Sequence, residues 1–161
     1  MTHAPGPSGQ HDEEVLRYLE RFAMVMADSG YPRMAARVFA AILVSDEGRR
    51  TAAELADLLG VGAPAISGGV KYLMNVGMVV RERLPGERRD SYRVRDGAWY
   101  STISETDVFR QWEEVSHDGV EILGPGSPAG SRLHETERFF AFLRKEIPAL
   151  MAKWDEQRRT V

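Results

Sequence analysis

The stretch Thr51-Ala52-Ala53-Glu54-Leu55-Ala56-Asp57-Leu58-Leu59-Gly60-Val61-Gly62-Ala63-Pro64-Ala65-Ile66-Ser67-Gly68-Gly69-Val70-Lys71-Tyr72-Leu73-Met74-Asn75 decides the fold. Thr51 and Glu54 stand at the spacing of a capping box: the hydroxyl accepts from the N3 amide and the carboxylate accepts from the N-cap amide. Leu55, Leu58 and Leu59 then share one helix face. Gly60 ends that helix. Pro64 sits in the first turn of the next, where its missing N–H does no harm. Ile66, Val70, Leu73 and Met74 form the buried face of this second helix. Small Ala56 suits a helix crossing, and Ile66 anchors the second helix to a core. Two short helices around a tight glycine turn predict a helix-turn-helix.

Downstream the period shortens toward two. Met78 to Leu84 reads as a strand and Ser91 to Arg95 as its partner, with Pro85-Gly86 supplying the turn. Upstream, Val15, Leu16, Leu19, Phe22, Ala23 and Met26 recur on one helix face. Asp12, Glu13 and Glu14 lie toward its start, where the helix dipole favours acids. Gly30 and Pro32 separate it from a second helix carrying Met34, Val38, Phe39, Ile42 and Leu43, closed by Asp46-Glu47-Gly48. Two further helices are expected over roughly 98–117 and 131–158, with Pro148 kinking or restarting the latter. Residues 1–11, rich in Pro, Gly and Ser, are expected to form a disordered arm. The predicted organisation is therefore this arm, N-terminal helices over 12–48, a winged helix-turn-helix core over 49–97 and a helical region over 98–161. The predicted fold class is mainly α with a small β-hairpin wing.

The chain has 161 residues, 43% hydrophobic and 28% charged, with net charge −3. That composition supports a folded core and shows no global cationic balance. Divided along the chain, the charge changes sign. Residues 1–48 hold four basic and seven acidic side chains, residues 49–96 nine and six, and residues 97–161 eight and eleven. A basic central block lies between acidic flanks, which are expected to keep non-specific DNA binding weak. There is no cysteine, which excludes disulfides, thiolate metal sites and cysteine nucleophiles. No apolar run is long enough to span a bilayer, and the first residues lack the apolar region of a secretory signal. A cytoplasmic location is expected, with no membrane partner. No Gly-rich phosphate loop, nucleophile elbow or acid pair points to an enzyme. His117 and His134 each neighbour a carboxylate, Asp118 and Glu135, but form no dense ligand pattern. Neither a metal nor a cofactor is expected.

The face opposite Ile66, Val70 and Leu73 holds Ala63, Ser67, Gly68, Lys71, Tyr72 and Asn75. Small residues near its N-terminal end let a helix sit deep in a major groove. Ser67 and Asn75 can then meet bases or phosphates, and Lys71 phosphates. Gly68 and Gly69 each cost about 1 kcal/mol in a helix interior, so each needs a reason. Close approach to DNA and close helix–helix packing both supply one. The hairpin carries Arg81, Arg83, Arg88, Arg89, Arg93 and Arg95 against Glu82, Glu87, Asp90 and Asp96. Strand alternation is expected to put Arg81, Arg83, Arg93 and Arg95 on one face, with Val80, Leu84, Tyr92 and Val94 mainly on the other. Arg81 and Arg95 fit cross-strand ion pairs. Arg88 and Arg89, at the tip, suit a narrow minor groove. The expected DNA contacts are Thr51, Ala63, Ser67, Gly68, Lys71, Tyr72, Asn75, Arg83, Arg88 and Arg89. A winged-helix protein-interaction module without DNA binding is the alternative.

Gly30-Tyr31-Pro32-Arg33-Met34-Ala35-Ala36-Arg37-Val38 resembles the second-helix motif of GbsR-like regulators, a branch of the MarR-type transcription factors. Thr51 to Leu59, Ala65-Ile66-Ser67 and Arg81 to Tyr92 are similar to the same branch. The resemblance covers roughly residues 12–100. It implies a homodimeric regulator that binds double-stranded DNA, expected here to act as a repressor, with N- and C-terminal helices forming the dimer interface. Gly62 replaces a Ser-type cap, and Glu87-Arg88-Arg89-Asp90 replaces the Asp-x-Arg of typical MarR wings. Arg33 and Arg37 suggest either a phosphate or carboxylate partner or a structural ion pair. The C-terminal region is rich in aromatics, which suits a dimerisation core. Trp99 and Trp112 are the candidates for a small-molecule effector site, where ring faces could cage a quaternary ammonium.

Overall fold

The computed structural model describes residues 7–99 and 106–160, with side chains at 12–99 and 107–160. The chain divides into two compact units, residues 1–98 and 99–161. The first contains α1 (Pro7–Asp28), α2 (Arg33–Leu43), β1 (Arg49–Thr51), α3 (Ala52–Leu59), α4 (Ala63–Asn75), β2 (Val79–Glu82) and β3 (Ser91–Val94). The second contains α5 (Thr106–Leu123) and α6 (Pro128–Arg159).

Helix α2 is the centre of the first unit. Ala35, Ala36, Val38, Phe39, Ala40, Ala41 and Ile42 are all buried, because α1, α3, α4 and β3 pack around it. Leu19, Ala23 and Met26 of α1 complete one side of this core, and Leu55, Ile66, Val70 and Leu73 of α3 and α4 complete the other. Complete burial of a side chain such as Phe39 contributes about 1.5–3 kcal/mol.

Helix α1 starts at Pro7, so residues 7–11 are helical and not part of a disordered arm; residues 1–6 lie outside the described residues. Proline is well suited to the first turn of a helix, and an established helix extends one hydrogen bond at a time across a poor residue such as Gly9. The earlier start moves Asp12, Glu13 and Glu14 beyond the first turn, which contains no acid.

The sheet has three strands in the order β1-β3-β2. The extra strand is β1, antiparallel to β3 with Arg49 opposite Arg93 and Thr51 opposite Ser91. Two arginines and a threonine carry no apolar alternation, so pattern gives no sign of it. In the wing, Arg81 pairs with Tyr92 and Val80 with Arg93. Directly opposed residues share a face. Arg81 and Arg93 therefore lie on opposite faces, contrary to the single arginine face expected from alternation. The connection over 83–90 fixes this register: it sets odd-numbered residues of β2 against even-numbered residues of β3.

In the second unit, α5 and α6 form an antiparallel hairpin held by the ring stack of Phe109, Phe140 and Trp112. Its boundaries differ from the expected ones. The helices run over 106–123 and 128–159, and α6 passes through Pro148 as one element. Ser127 caps α6 by accepting from Gly130 N–H at 2.9 Å. Trp112, Val115, Phe139, Phe142, Leu150 and Trp154 remain exposed. No helix among the described residues is long and apolar enough to cross a membrane.

Candidate nucleic-acid interface

The site begins at the N-terminus of α3. Thr51 Oγ1 accepts from Glu54 N–H at 3.3 Å, while Glu54 Oε2 accepts from Thr51 N–H at 2.6 Å and from its hydroxyl at 2.9 Å. The backbone and side-chain hydrogen bonds from Thr51 hold the Glu54 carboxyl below its usual pKa. Thr51, an expected DNA contact, thus commits its hydroxyl proton to the cap. Gly60 ends α3 in the left-handed region at φ 64°, a conformation that costs glycine little. That turn sets α4 against α2.

Helix α4 presents Ala63, Ser67, Gly68, Lys71 and Asn75 as exposed residues. Ser67, Lys71 and Asn75 have no hydrogen-bond or ion-pair partner among the described residues. The adjacent glycines have different surroundings. A Cβ on Gly68 would meet nothing within 4 Å. A Cβ on Gly69 would lie 3.1 Å from Val38 Cγ2, 3.3 Å from the Met34 carbonyl oxygen and 3.5 Å from Ala35 Cα. Gly69 therefore allows α4 to pack on α2, and Gly68 leaves the outer surface bare. Tyr72 is half-buried and meets Tyr31 edge-on at 6.4 Å, so it belongs largely to the α2–α4 packing.

The wing sorts its arginines by ion pairing. Asp90 accepts from Arg83 at 2.7 Å and lies 3.6 Å from Arg81. Glu82 and Asp96 flank Arg93, and Glu87 lies 3.7 Å from Arg49. Arg88 and Arg89 are exposed and have no such partner among the described residues. Arg95 is likewise without a carboxylate; its guanidinium lies against Gly77. The acids of the wing thus neutralise Arg81, Arg83 and Arg93 and leave the tip cationic. An expected contact at Arg83 would have to compete with Asp90.

The outer face of α4 and the wing belong to a unit for which known families provide a match. A MarR-family model matches residues 29–90, and a model described as MmpR5-like MarR family transcriptional regulator matches residues 97–157. The chain belongs to the MarR family. Members of the MarR family are transcriptional regulators and not enzymes. The chain is similar to the HTH-type transcriptional regulator MmpR5 of Mycobacterium tuberculosis, with 22% identity over 148 residues, 91% of this chain and 90% of that protein. A solved structure described as a transcriptional regulator covers 89% of this chain and 99% of its own, at 22% identity and a TM-score of 0.76. That likeness shows a shared fold.

The two tryptophans expected at an effector site lie in the second unit of the MarR-family chain. Trp112 stacks on Phe140 at 5.9 Å, and Trp99 is 48% exposed. Neither lines the cavity of about 680 Å³ found in the first unit, which lies along α1 and the start of α2. No sequence motif announces that cavity. Its one pointer was the pair Arg33 and Arg37, for which an acidic partner or a structural ion pair was expected. Arg37 does form an ion pair, with Glu20 at 2.6 Å. Among the described residues, no group of three or more His, Asp or Glu side chains is placed to hold a metal ion.

Proposed function

We propose that this chain is a sequence-specific duplex-DNA-binding regulator that acts as a homodimer and represses transcription. Helix α4 enters the major groove, and the wing tip lies on the flanking minor groove. The observation that carries this reading is the contrast within the wing: its acids are used on Arg81, Arg83 and Arg93, while Arg88 and Arg89 stay exposed and unpaired beside a bare α4 face. Ser67, Gly68, Lys71 and Asn75 supply the major-groove contacts, with Ala63 admitting the close approach. Two-fold symmetry would place half-sites about 10–10.5 base pairs apart. The exposed apolar residues of α5 and α6 support a second copy as the cover for that hairpin. The GbsR-like assignment of α2 and the wing is part of this proposal. So is an effector near Trp99 and Trp112, with a quaternary ammonium as the ligand class.

Enrichment of duplexes from a random pool, followed by sequencing, tests the proposal. The expected result is a pseudo-palindromic motif bound by a dimer. No enrichment even at low salt would favour a protein-interaction module. Calorimetry with choline and glycine betaine tests the effector; absence of both heat and thermal shift would remove it.

A further inference from the structure

Helix α4 contains no Arg, Gln, Asp or Glu. Those residue types, with Asn and Lys, supply most of the directed hydrogen bonds by which a helix tells one base pair from another in the major groove. Lys71 and Asn75 lie in the C-terminal half of α4. The N-terminal half, which in a helix-turn-helix meets the base edges, exposes Gly62, Ala63, Pro64, Ser67 and Gly68. Its one polar side chain is the Ser67 hydroxyl, which both donates and accepts and therefore discriminates little. Gly62 is the N-cap and places no side chain in front of Ala63. Hydrogen-bond readout alone gives this end of the helix little sequence preference.

Gly68 makes a hollow in the same surface. After proline, glycine is the costliest residue in a helix interior. That cost is offset at Gly69 by packing on α2, and by no contact of this kind at Gly68, where a Cβ would meet nothing within 4 Å. The space that a methyl group would fill is open, and it faces outward. Its neighbours on the helix surface are Pro64, four residues before, and Lys71 and Tyr72, three and four after. Pro64 flanks it with an apolar ring, and Tyr72 is turned edge-on to Tyr31 at 6.4 Å. A donor or acceptor of a base edge would lose water in such a hollow without gaining a partner. The C5 methyl of thymine, the one apolar group that a base pair shows in the major groove, suits it in size and polarity.

We propose that Gly68 is a specificity-determining residue of α4 and receives the 5-methyl group of one thymine in each half-site, with Pro64 and Ala63 as its apolar surround. The assignment rests on the DNA-binding reading and adds to it which base is read and through which group. The contact is uncharged. It therefore changes affinity without changing the number of phosphates neutralised, and leaves the salt dependence of binding as it is.

The test is a cycle between protein and base on the duplex obtained by selection. Each thymine is replaced in turn by deoxyuridine, which removes the methyl and keeps the pairing, and the full chain and its Gly68→Ala variant are titrated by fluorescence anisotropy. One thymine per half-site should be sensitive for the parent, with binding about threefold weaker for each methyl lost and the salt slope unchanged. Gly68→Ala puts its own methyl into the hollow. It should bind the thymine duplex about tenfold more weakly than the parent and recover about threefold or more when that thymine alone becomes deoxyuridine. The preference thus reverses at one position, which a general loss of fit along α4 does not produce. Alanine is a better helix former than glycine, so the variant folds and its weak binding is read on an intact helix. Cytosine at the sensitive position should weaken the parent, and 5-methylcytosine there should bind about threefold more tightly than cytosine. Equal binding of thymine and deoxyuridine at every position, or a selected motif without thymine, overturns the proposal. A sensitive thymine whose preference is the same in Gly68→Ala also overturns it, because the methyl is then read elsewhere. No enrichment of any duplex refutes the DNA-binding reading itself. Enrichment without thymine sensitivity refutes the assignment to Gly68 alone and leaves that reading in place.

Discussion

Gly68→Ala and Gly69→Ala alter neighbouring positions of α4 and are expected to act in opposite directions on stability. Each replacement removes the helix-interior cost of glycine, a gain of about 1 kcal/mol. At Gly68 the new methyl meets nothing within 4 Å, so the gain is realised. A stabilisation of about 0.5–1 kcal/mol raises Tm by several degrees, since about 1 kcal/mol corresponds to roughly 4–8 °C in a unit of this size. At Gly69 the methyl meets Val38 Cγ2 at 3.1 Å and the Met34 carbonyl at 3.3 Å. Val38 is fully buried and the carbonyl is backbone, so neither yields easily. Overpacking of this kind costs about 1–3 kcal/mol, leaving a net loss of roughly 0–2 kcal/mol. The two variants should therefore differ by about 1–3 kcal/mol, with no change in charge or polarity. Duplex binding reverses the benefit for Gly68→Ala. A methyl at the closest approach should weaken specific binding about tenfold, or about 1.4 kcal/mol. Thermal denaturation and fluorescence anisotropy on the selected duplex measure both effects. A stabilised Gly68→Ala that binds the duplex within about twofold of the parent would refute close approach of α4. A Gly69→Ala as stable as Gly68→Ala would refute the packing argument.

Other perturbations separate the remaining features. Arg88→Ala with Arg89→Ala should flatten the slope of log affinity against log salt by about 1.8 per chain and about 3.6 for the bound dimer, at roughly 0.9 per lost phosphate contact; an unchanged slope would remove the wing tip from the interface. Asp90→Asn releases Arg81 and Arg83 and should steepen the same slope by up to about 0.9 per arginine that then reaches a phosphate. Thr51→Ala removes the side-chain half of the capping box and should cost about 1 kcal/mol in a denaturant titration. The Glu54 pKa should rise only part of the way toward its ordinary value, because the backbone N–H at that position still donates to the carboxylate. Since that pKa is depressed in the folded chain, its stabilisation is present above the unfolded value and is lost as pH falls through the folded one. Across α5 and α6, His117 Nδ1 and His134 Nδ1 lie 2.9 and 3.2 Å from the two oxygens of Glu137. The hydrogen bond to Glu137 raises the His117 pKa. Its stabilisation is thus complete below the unfolded value of about 6.5 and is lost as pH rises through the folded one. Melting at about pH 6 and about pH 8.5 should show a difference that shrinks in His117→Gln, and no shrinkage would count against this bridge.

Much of the fold was legible because local rules and packing agree in it. The capping box, the Gly60 stop and the Ile66, Val70 and Leu73 stripe are local signals, and each appears where the spacing puts it. Composition places the start of α1 later than the structure does, because proline and glycine mark a boundary in composition, whereas a growing helix tolerates them in its first turns. Strand β1 had no apolar pattern to announce it; β3 recruits it by offering an open edge. The outer face of α4 was legible from helical period alone. The sorting of the wing arginines was not, since it depends on which carboxylate each one reaches across the turn.

Residue order by itself determined the helices of the first unit, the turn that joins α3 to α4 and the concentration of positive charge between residues 49 and 96. These depend on contacts a few residues apart. Tertiary structure alone decided that Gly69 packs against α2 while Gly68 stays open, that Asp90 takes up Arg81 and Arg83 while Arg88 and Arg89 remain unpaired, and that Arg37 joins Glu20 to the end of α3. Identical residue types side by side acquire different roles there, because clearance and ion pairing are set by distances between elements that local spacing does not encode.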